Sequence, residues 1–374
     1  MRRYTFIFLT GAAAFALAQP AAPPRVLSPE VHPDKRVTFR FRSPNAKEVL
    51  LGREGTTRVP MQKGDDGVWA LTTDALAPDF YGYSFVADGV SLMDPVNGLM
   101  KPNLLNPQSM VHVPGENLPW EVTSAPQGTV HHHFYHSGVV GDDRDYYVYT
   151  PPGYDSASRK LYPVLYLLHG YSDDASGWTA VGRAQVILDN LIAQGKAEPM
   201  LVVMTLGYGD LGMVAPGTQA FNDPALRQRS FDRFRDALFQ EVMPRIEKDY
   251  RASKDRTARA IAGLSMGGAE SLYTGLNALN RFAYVGAFSS GGLGEDLPGQ
   301  FPKLDASASS QLKLLYITCG TEDRLIKFNR TFVDFLKSKQ VNATLRETPG
   351  AHTWMVWRRN LADFAPLLFQ KKSS

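Results

Sequence analysis

The stretch Arg259-Ala260-Ile261-Ala262-Gly263-Leu264-Ser265-Met266-Gly267 decides the fold. Four residues with strand character run into a G-x-S-x-G pentapeptide, and helical spacing follows over residues 267–279. Small residues at both ends of the pentapeptide allow a sharp strand-to-helix turn. Such a turn lifts the Ser265 hydroxyl to the top of a sheet, beside amide groups that stabilise a developing negative charge. A glycine-rich turn with an incidental serine is the bland alternative, and the strand before and helix after argue against it.

Working outward, strands and helices alternate. Residues 145–149 read as a strand, 163–168 (PVLYLL) as an apolar strand covered on both faces, 184–194 as a helix and 200–206 as another buried strand. Over residues 231–250, Phe231, Phe234, Leu238, Val242 and Ile246 fall near the helical period. Strands follow at 284–289, 312–319 and 342–347, and helices at 328–339 and near 357–369. This alternation predicts a doubly wound, mostly parallel sheet over residues 131–371. Residues 25–113 read differently. Period-2 alternation at 36–42 and 81–87, with turn signals at Gly64-Asp65-Asp66-Gly67 and Asp88-Gly89, predicts a small all-β sandwich. Residues 114–130, rich in Pro and Gly, read as a linker.

A nucleophilic serine needs a base and a group to orient it. In this fold class the chain order is Ser, then Asp or Glu, then His. Asp323 leaves the C-terminal end of the strand at 312–319, where catalytic groups gather in such sheets. His352 lies in the loop after the next strand and is the only histidine downstream of Ser265. Taken singly, these residues read as a solvated acidic turn and a structural histidine; together, in order and at strand ends, they read as Ser265, Asp323 and His352 of a triad. The oxyanion hole needs two N–H donors. The candidates are the amides of Met266, just after the nucleophile, and Tyr171, in the loop after Leu168-His169-Gly170. His169 reads as a structural loop residue.

LLHG at 167–170, GLSMGG at 263–268, CGTED at 319–323 and GAHTW at 350–354 occur together and in order. In these motifs the chain resembles the putative esterase (esterase D-like) family. Within it, the chain is similar to carbohydrate esterase family 1, which includes feruloyl and acetylxylan esterases. The resemblance covers roughly residues 128–370. It implies an α/β-hydrolase fold, the triad and oxyanion donors just named, no cofactor, and a small-molecule or polysaccharide ester as substrate. The family's C-G-T-x-D pattern selects Asp323 over its neighbour Glu322. GVW at 67–69, YGYSFVADG at 81–89 and Asp94-Pro95 resemble an early-set immunoglobulin-like domain. Such domains precede some esterases and resemble glycogen-binding modules. The region supplies no triad member and is expected to position polymer or shield the cleft without entering the chemistry. Enterochelin-esterase-like enzymes also pair an N-terminal β domain with this fold but cut a siderophore lactone. A non-catalytic carbohydrate binder is the third reading, and a complete triad argues against it.

Other features are weighed against plainer roles. Trp178, Tyr208, Trp354 and Trp357 are candidates to line a substrate cleft, with core packing as the alternative; Trp69, Tyr81 and Tyr83 read as packing residues. His131, His132, His133 and His136 invite a metal reading. Adjacent strand residues point to opposite faces, so a strand without a metal is expected. Cys319, the single cysteine, reads as a small core residue. With 40 Lys+Arg against 37 Asp+Glu the net charge is +3, and no basic run occurs, which excludes a nucleic-acid footprint. Composition of 44% hydrophobic and 21% charged residues excludes a disordered or fibrous chain. Met1-Arg2-Arg3, an apolar run to Phe15 and Ala16-Leu17-Ala18 read as an export signal over residues 1–18, which predicts a secreted or periplasmic protein with no membrane association after cleavage.

Overall fold

The computed structural model describes residues 25–215 and 220–370, so the stretch read as an export signal lies outside the described residues. The alternating segments near the N-terminus form two antiparallel sheets. In one, Val37–Arg42 pairs with Val68–Thr72; in the other, Asp79–Ala87 lies between Val49–Arg53 and Gln108–Val113. Asp88 and Gly89 both have positive φ, as a two-residue hairpin requires. Apolar residues from both sheets share one core, with Phe39 on Tyr83 and Phe41 on Phe85. Trp69, Tyr81 and Tyr83 are buried in it.

The second sheet is larger, and its strands are numbered here in chain order. They are β1 Thr129–Ser137, β2 Asp142–Thr150, β3 Val164–Leu168, β4 Leu201–Thr205, β5 Arg259–Leu264, β6 Tyr284–Phe288, β7 Leu314–Gly320 and β8 Thr344–Thr348. Their spatial order is β1-β2-β4-β3-β5-β6-β7-β8, antiparallel over the first three and parallel from β4 onward. Strands β3 to β6 are buried along their whole length because helices cover both faces, which is why they read as unbroken apolar runs. Among the described residues, no helix is long and apolar enough to cross a membrane.

Three readings change in detail. The helix expected from residue 231 begins at Pro224, where Asp223 accepts hydrogen bonds from the Ala225 and Leu226 amides and Pro224 takes the first helical position. It widens to a π-helical turn at Leu238–Val242 just before Pro244, whose missing N–H interrupts the regular ladder. The last helix, expected near 357, opens at Trp354. Residues 114–130 are held against the larger unit. Trp120 is buried there, the Gly128 amide donates to Asp189, and Asn190 donates to the Pro119 and Glu121 carbonyls.

The two units meet over a buried seam. Arg358, fully buried, pairs with Asp79 at 2.7 Å and donates to the carbonyls of Phe80 and Val181. Phe80 and Met110 of the sandwich join the apolar cluster of the larger unit. Removing one member of a buried ion pair leaves the other charged and unmatched, at about 3–5 kcal/mol. Asp79→Ala should therefore lower stability by about that amount in urea denaturation.

Candidate active site

The site begins with a backbone constraint. A Cβ on Gly267 would stand 2.3 Å from the His169 carbonyl oxygen and 2.7 Å from that of Leu168, and one on Gly263 would stand 2.5 Å from the Gly267 backbone. Only glycine lets the helix Met266–Asn277 start this close to the ends of β3 and β5. Ser265, between them, is held at φ 51, a left-handed conformation costing about 1–3 kcal/mol. The strain is locked by hydrogen bonds from the Ser265 amide to the Phe288 carbonyl (2.8 Å) and from the Gly291 amide to the Ser265 carbonyl (3.0 Å).

The side chains expected to work together are brought together. Ser265 Oγ lies 3.0 Å from His352 Nε2, and His352 Nδ1 lies 2.8 Å from Asp323 Oδ2. Asp323 Oδ1 accepts from the Leu325 amide at 2.9 Å. Burial alone would raise the Asp323 carboxyl, but His352, the Leu325 amide and the Ser289 hydroxyl more than offset it and hold the group below the ordinary carboxylate range. Glu322, next in the chain, is exposed. Cys319 is buried at the end of β7, and burial pushes its thiol up to about 12, so no thiolate forms there at neutral pH.

A buried layer fixes the loop after β3. The Gly170 carbonyl accepts from His169 Nδ1–H (2.8 Å), the Asp173 amide (3.2 Å) and the Tyr208 hydroxyl (3.4 Å). His169 Nε2 accepts from the Gly207 amide, which fixes the neutral tautomer; burial lowers its pKa in the same sense. In a trans peptide the N–H points opposite to the C=O. Pinning the Gly170 carbonyl inward therefore turns the Tyr171 N–H the other way. Met266 opens its helix, so its N–H has no intrahelical acceptor.

Two aromatic expectations are corrected. Trp178 is fully buried and donates from Nε1 to the Leu168 carbonyl; it packs edge-on to Trp354 and fastens the loop after β3. Tyr208 is also fully buried, and its hydroxyl serves the Gly170 and Asp173 carbonyls. Neither reaches the cleft, because each spends its polar atom on the backbone beneath it. Trp354, though largely buried, does border the cleft. The histidines of β1 are paired along the strand: His132 with Asp145, His136 with Asp143 and His133 with the Tyr250 hydroxyl.

The cleft over Ser265 has a volume of about 330 Å³. One wall is an addition that the sequence did not announce. Glu54, Lys101 and Asn103 come from the N-terminal sandwich and its exit, so that region does not stand apart from the site. Asn103 Nδ2 donates to Ser172 Oγ (2.9 Å) and Asp173 Oδ1 (3.1 Å). No local pattern signals such residues, since the partner of Lys101 lies 47 positions away and those of Asn103 some 70.

With its doubly wound sheet, serine at a strained strand–helix turn and hydrogen-bonded Ser-His-Asp line, the larger unit is an α/β-hydrolase. The chain belongs to the putative esterase family, which matches residues 137–368. Over 354 residues it is 29% identical to an endo-1,4-beta-xylanase/feruloyl esterase of Xylanibacter ruminicola, covering 91% of this chain and 46% of that protein. The chain thus spans under half of that relative's length. A CE1 ferulic acid esterase from Anaeromyces mucronatus, solved with ferulic acid, matches at TM-score 0.59 and 25% identity, over 68% of this chain and 96% of its own. The enterobactin esterase of Shigella flexneri matches at TM-score 0.65 and 21% identity, over 89% and 92% of the two chains, a likeness of fold.

Asp173 gives a pH-dependent test of the cleft. Burial raises its carboxyl from 3.8 to about 7, against the opposing pull of Lys101 and the Asn103 hydrogen bond, with Asp174 and Glu54 adding to the rise. The folded chain therefore holds this proton more tightly than the unfolded chain. The resulting stability is complete below about pH 4 and is lost as the pH rises through about 7. Asp173→Asn, which mimics the protonated form, should match the parent Tm at pH 4 and exceed it at pH 8. An equal gain at both values would contradict the assignment.

Proposed function

We propose that the chain is an exported serine carboxylic-ester hydrolase acting on feruloyl or acetyl esters of plant polysaccharide. The observation that carries this reading is the continuous line from Ser265 Oγ through His352 to Asp323 at hydrogen-bond distances. His352 Nε2 takes the Ser265 proton as Oγ attacks the ester carbonyl. Asp323 accepts from His352 Nδ1–H, orients the ring and stabilises the imidazolium that forms. The tetrahedral oxyanion accepts from the Tyr171 and Met266 amides. His352 then gives its proton to the departing alcohol, leaving an acyl-Ser265. Water, deprotonated by the same histidine, releases the acid and restores the serine. The family match and the feruloyl-esterase relatives support the acyl class; the sandwich is proposed as residues 25–113 and the catalytic unit as residues 131–371. Export rests on residues 1–18, and a mature N-terminus at Gln19 is the expected result of sequencing the secreted protein.

Assayed on methyl ferulate, acetylated xylan and an enterobactin-type lactone, the protein should release ferulate or acetate and leave the lactone intact. Preferential lactone cleavage would transfer it to the siderophore class. Ser265→Ala should leave the fold unchanged by circular dichroism and reduce turnover to the oxyanion-hole background, about 10³–10⁴ over water.

A side-by-side assay decides between the adjacent acids. Asp323→Asn should lower kcat by about 10⁴, since it leaves the imidazole in the wrong tautomer. Glu322→Gln, at an exposed position, should stay within a few-fold of the parent. The opposite ranking would move the orienting role to Glu322.

A further inference from the structure

Glu54 directly follows the sandwich strand Val49–Arg53, and its side chain is only 10% exposed. One carboxylate oxygen, Oε2, is engaged within the sandwich: it accepts from the Gly82 amide at 3.2 Å and from Lys101 Nζ at 3.3 Å. The other crosses the seam. Oε1 accepts from the Trp354 amide at 2.8 Å. Trp354 is the first residue of the helix Trp354–Phe364, two positions after His352.

The first N–H groups of a helix have no intrahelical acceptor and are normally met by a Ser, Thr, Asp or Asn side chain at the N-cap. Thr353 holds that position here but makes no side-chain hydrogen bond to the helix. Its duty falls to a carboxylate 300 positions away in the chain. A negative charge at a helix N-terminus is also favoured by the helix dipole. Burial alone would raise the Glu54 carboxyl; Lys101, the Trp354 and Gly82 amides and Arg358 more than offset this and keep it below the ordinary range. One turn further on, Arg358 is tied to Asp79, Phe80 and Val181. The sandwich thus grips the helix at its start and again after one turn.

The imidazole of His352 sits between this anchored start and the serine. Its backbone neighbours are fixed in turn: the Thr353 amide donates to Ala351 and the Glu322 amide to Gly350. We propose that Glu54 is a positioning residue of the active site, its carboxylate capping the helix that follows His352 and so holding the imidazole in line between Ser265 and Asp323. This rests on the reading of those three residues as the triad. It gives the N-terminal sandwich a part in the reaction geometry itself. Loss of the cap frees the first turn of the helix and with it the histidine loop, and a displacement of about 1 Å there can cost on the order of 10²-fold in rate.

The test uses the full chain and a small aryl acetate, which makes few contacts beyond the reacting centre. Glu54→Ala should lower kcat about 10- to 100-fold with KM within two-fold of the parent. Glu54→Gln keeps an oxygen acceptor of the same reach and should recover kcat to within about five-fold. Glu54→Asp, one methylene short of the Trp354 amide, should behave like the alanine variant and carries the comparison if Glu54→Ala does not fold. The downfield proton resonance of the His352–Asp323 hydrogen bond should broaden or shift in Glu54→Asp and stay in place in Glu54→Gln. Parental kcat in Glu54→Ala or Glu54→Asp, a change confined to KM, or Glu54→Gln no better than Glu54→Asp would overturn the proposal. Ser265→Ala run alongside separates the two readings. If it keeps its kcat, the triad assignment fails; if it is inactive while Glu54→Asp is parental, only the cap fails.

Discussion

The approach of Gly267 to the Leu168 and His169 carbonyls is the contact on which the site depends. It sets the nucleophile helix directly on the end of β3, so the chain can leave β5 only through a left-handed residue, and that residue is Ser265. The same contact brings the end of β3 against the start of the helix that Ser265 precedes. Strained backbone persists where its surroundings over-determine it. Here that surrounding is the ladder of β6 on one side and the Gly291 amide on the other.

Around this turn the polar groups are arranged in depth. Asp323 is held by its own loop through the Leu325 amide, and His352 is held by Asp323. Beneath the cleft, His169 Nδ1–H and the Tyr208 hydroxyl both point at the Gly170 carbonyl, the hydroxyl shared with the carbonyl of Asp173. A buried carbonyl approached by several donors has little freedom to rotate, so the Gly170–Tyr171 peptide is held in one orientation.

What the sequence made legible follows the range of the interactions involved. The order of strands and helices, the turn at Ser265 and the loops that bring Asp323 and His352 to hydrogen-bond distance are readable because each is announced by neighbours within a few positions. The aromatic residues were harder. Trp178 and Tyr208 stand in loops near motifs, but the direction of an indole N–H or a phenol hydroxyl is decided by backbone folded beneath it. The last helix opens at Trp354, three residues before the expected start; a cap residue, Thr353, is present in the sequence, but the first amide is met instead by the distant Glu54 carboxylate. Lys101 and Asn103 belong to the same class, being residues whose partners are distant in the chain.

The bond between Glu54 and the Trp354 amide also has a meaning in time. Its two ends are 300 positions apart, so it cannot exist until synthesis has passed residue 354, long after the sandwich residues are made. Contacts closing so long a loop come after the local ones, because the chain entropy they remove must be offset by structure already in place. A nascent or truncated chain can therefore own a serine on its strained turn and still lack a fixed histidine. The bond thus couples the sandwich to the helix Trp354–Phe364 only once both are folded.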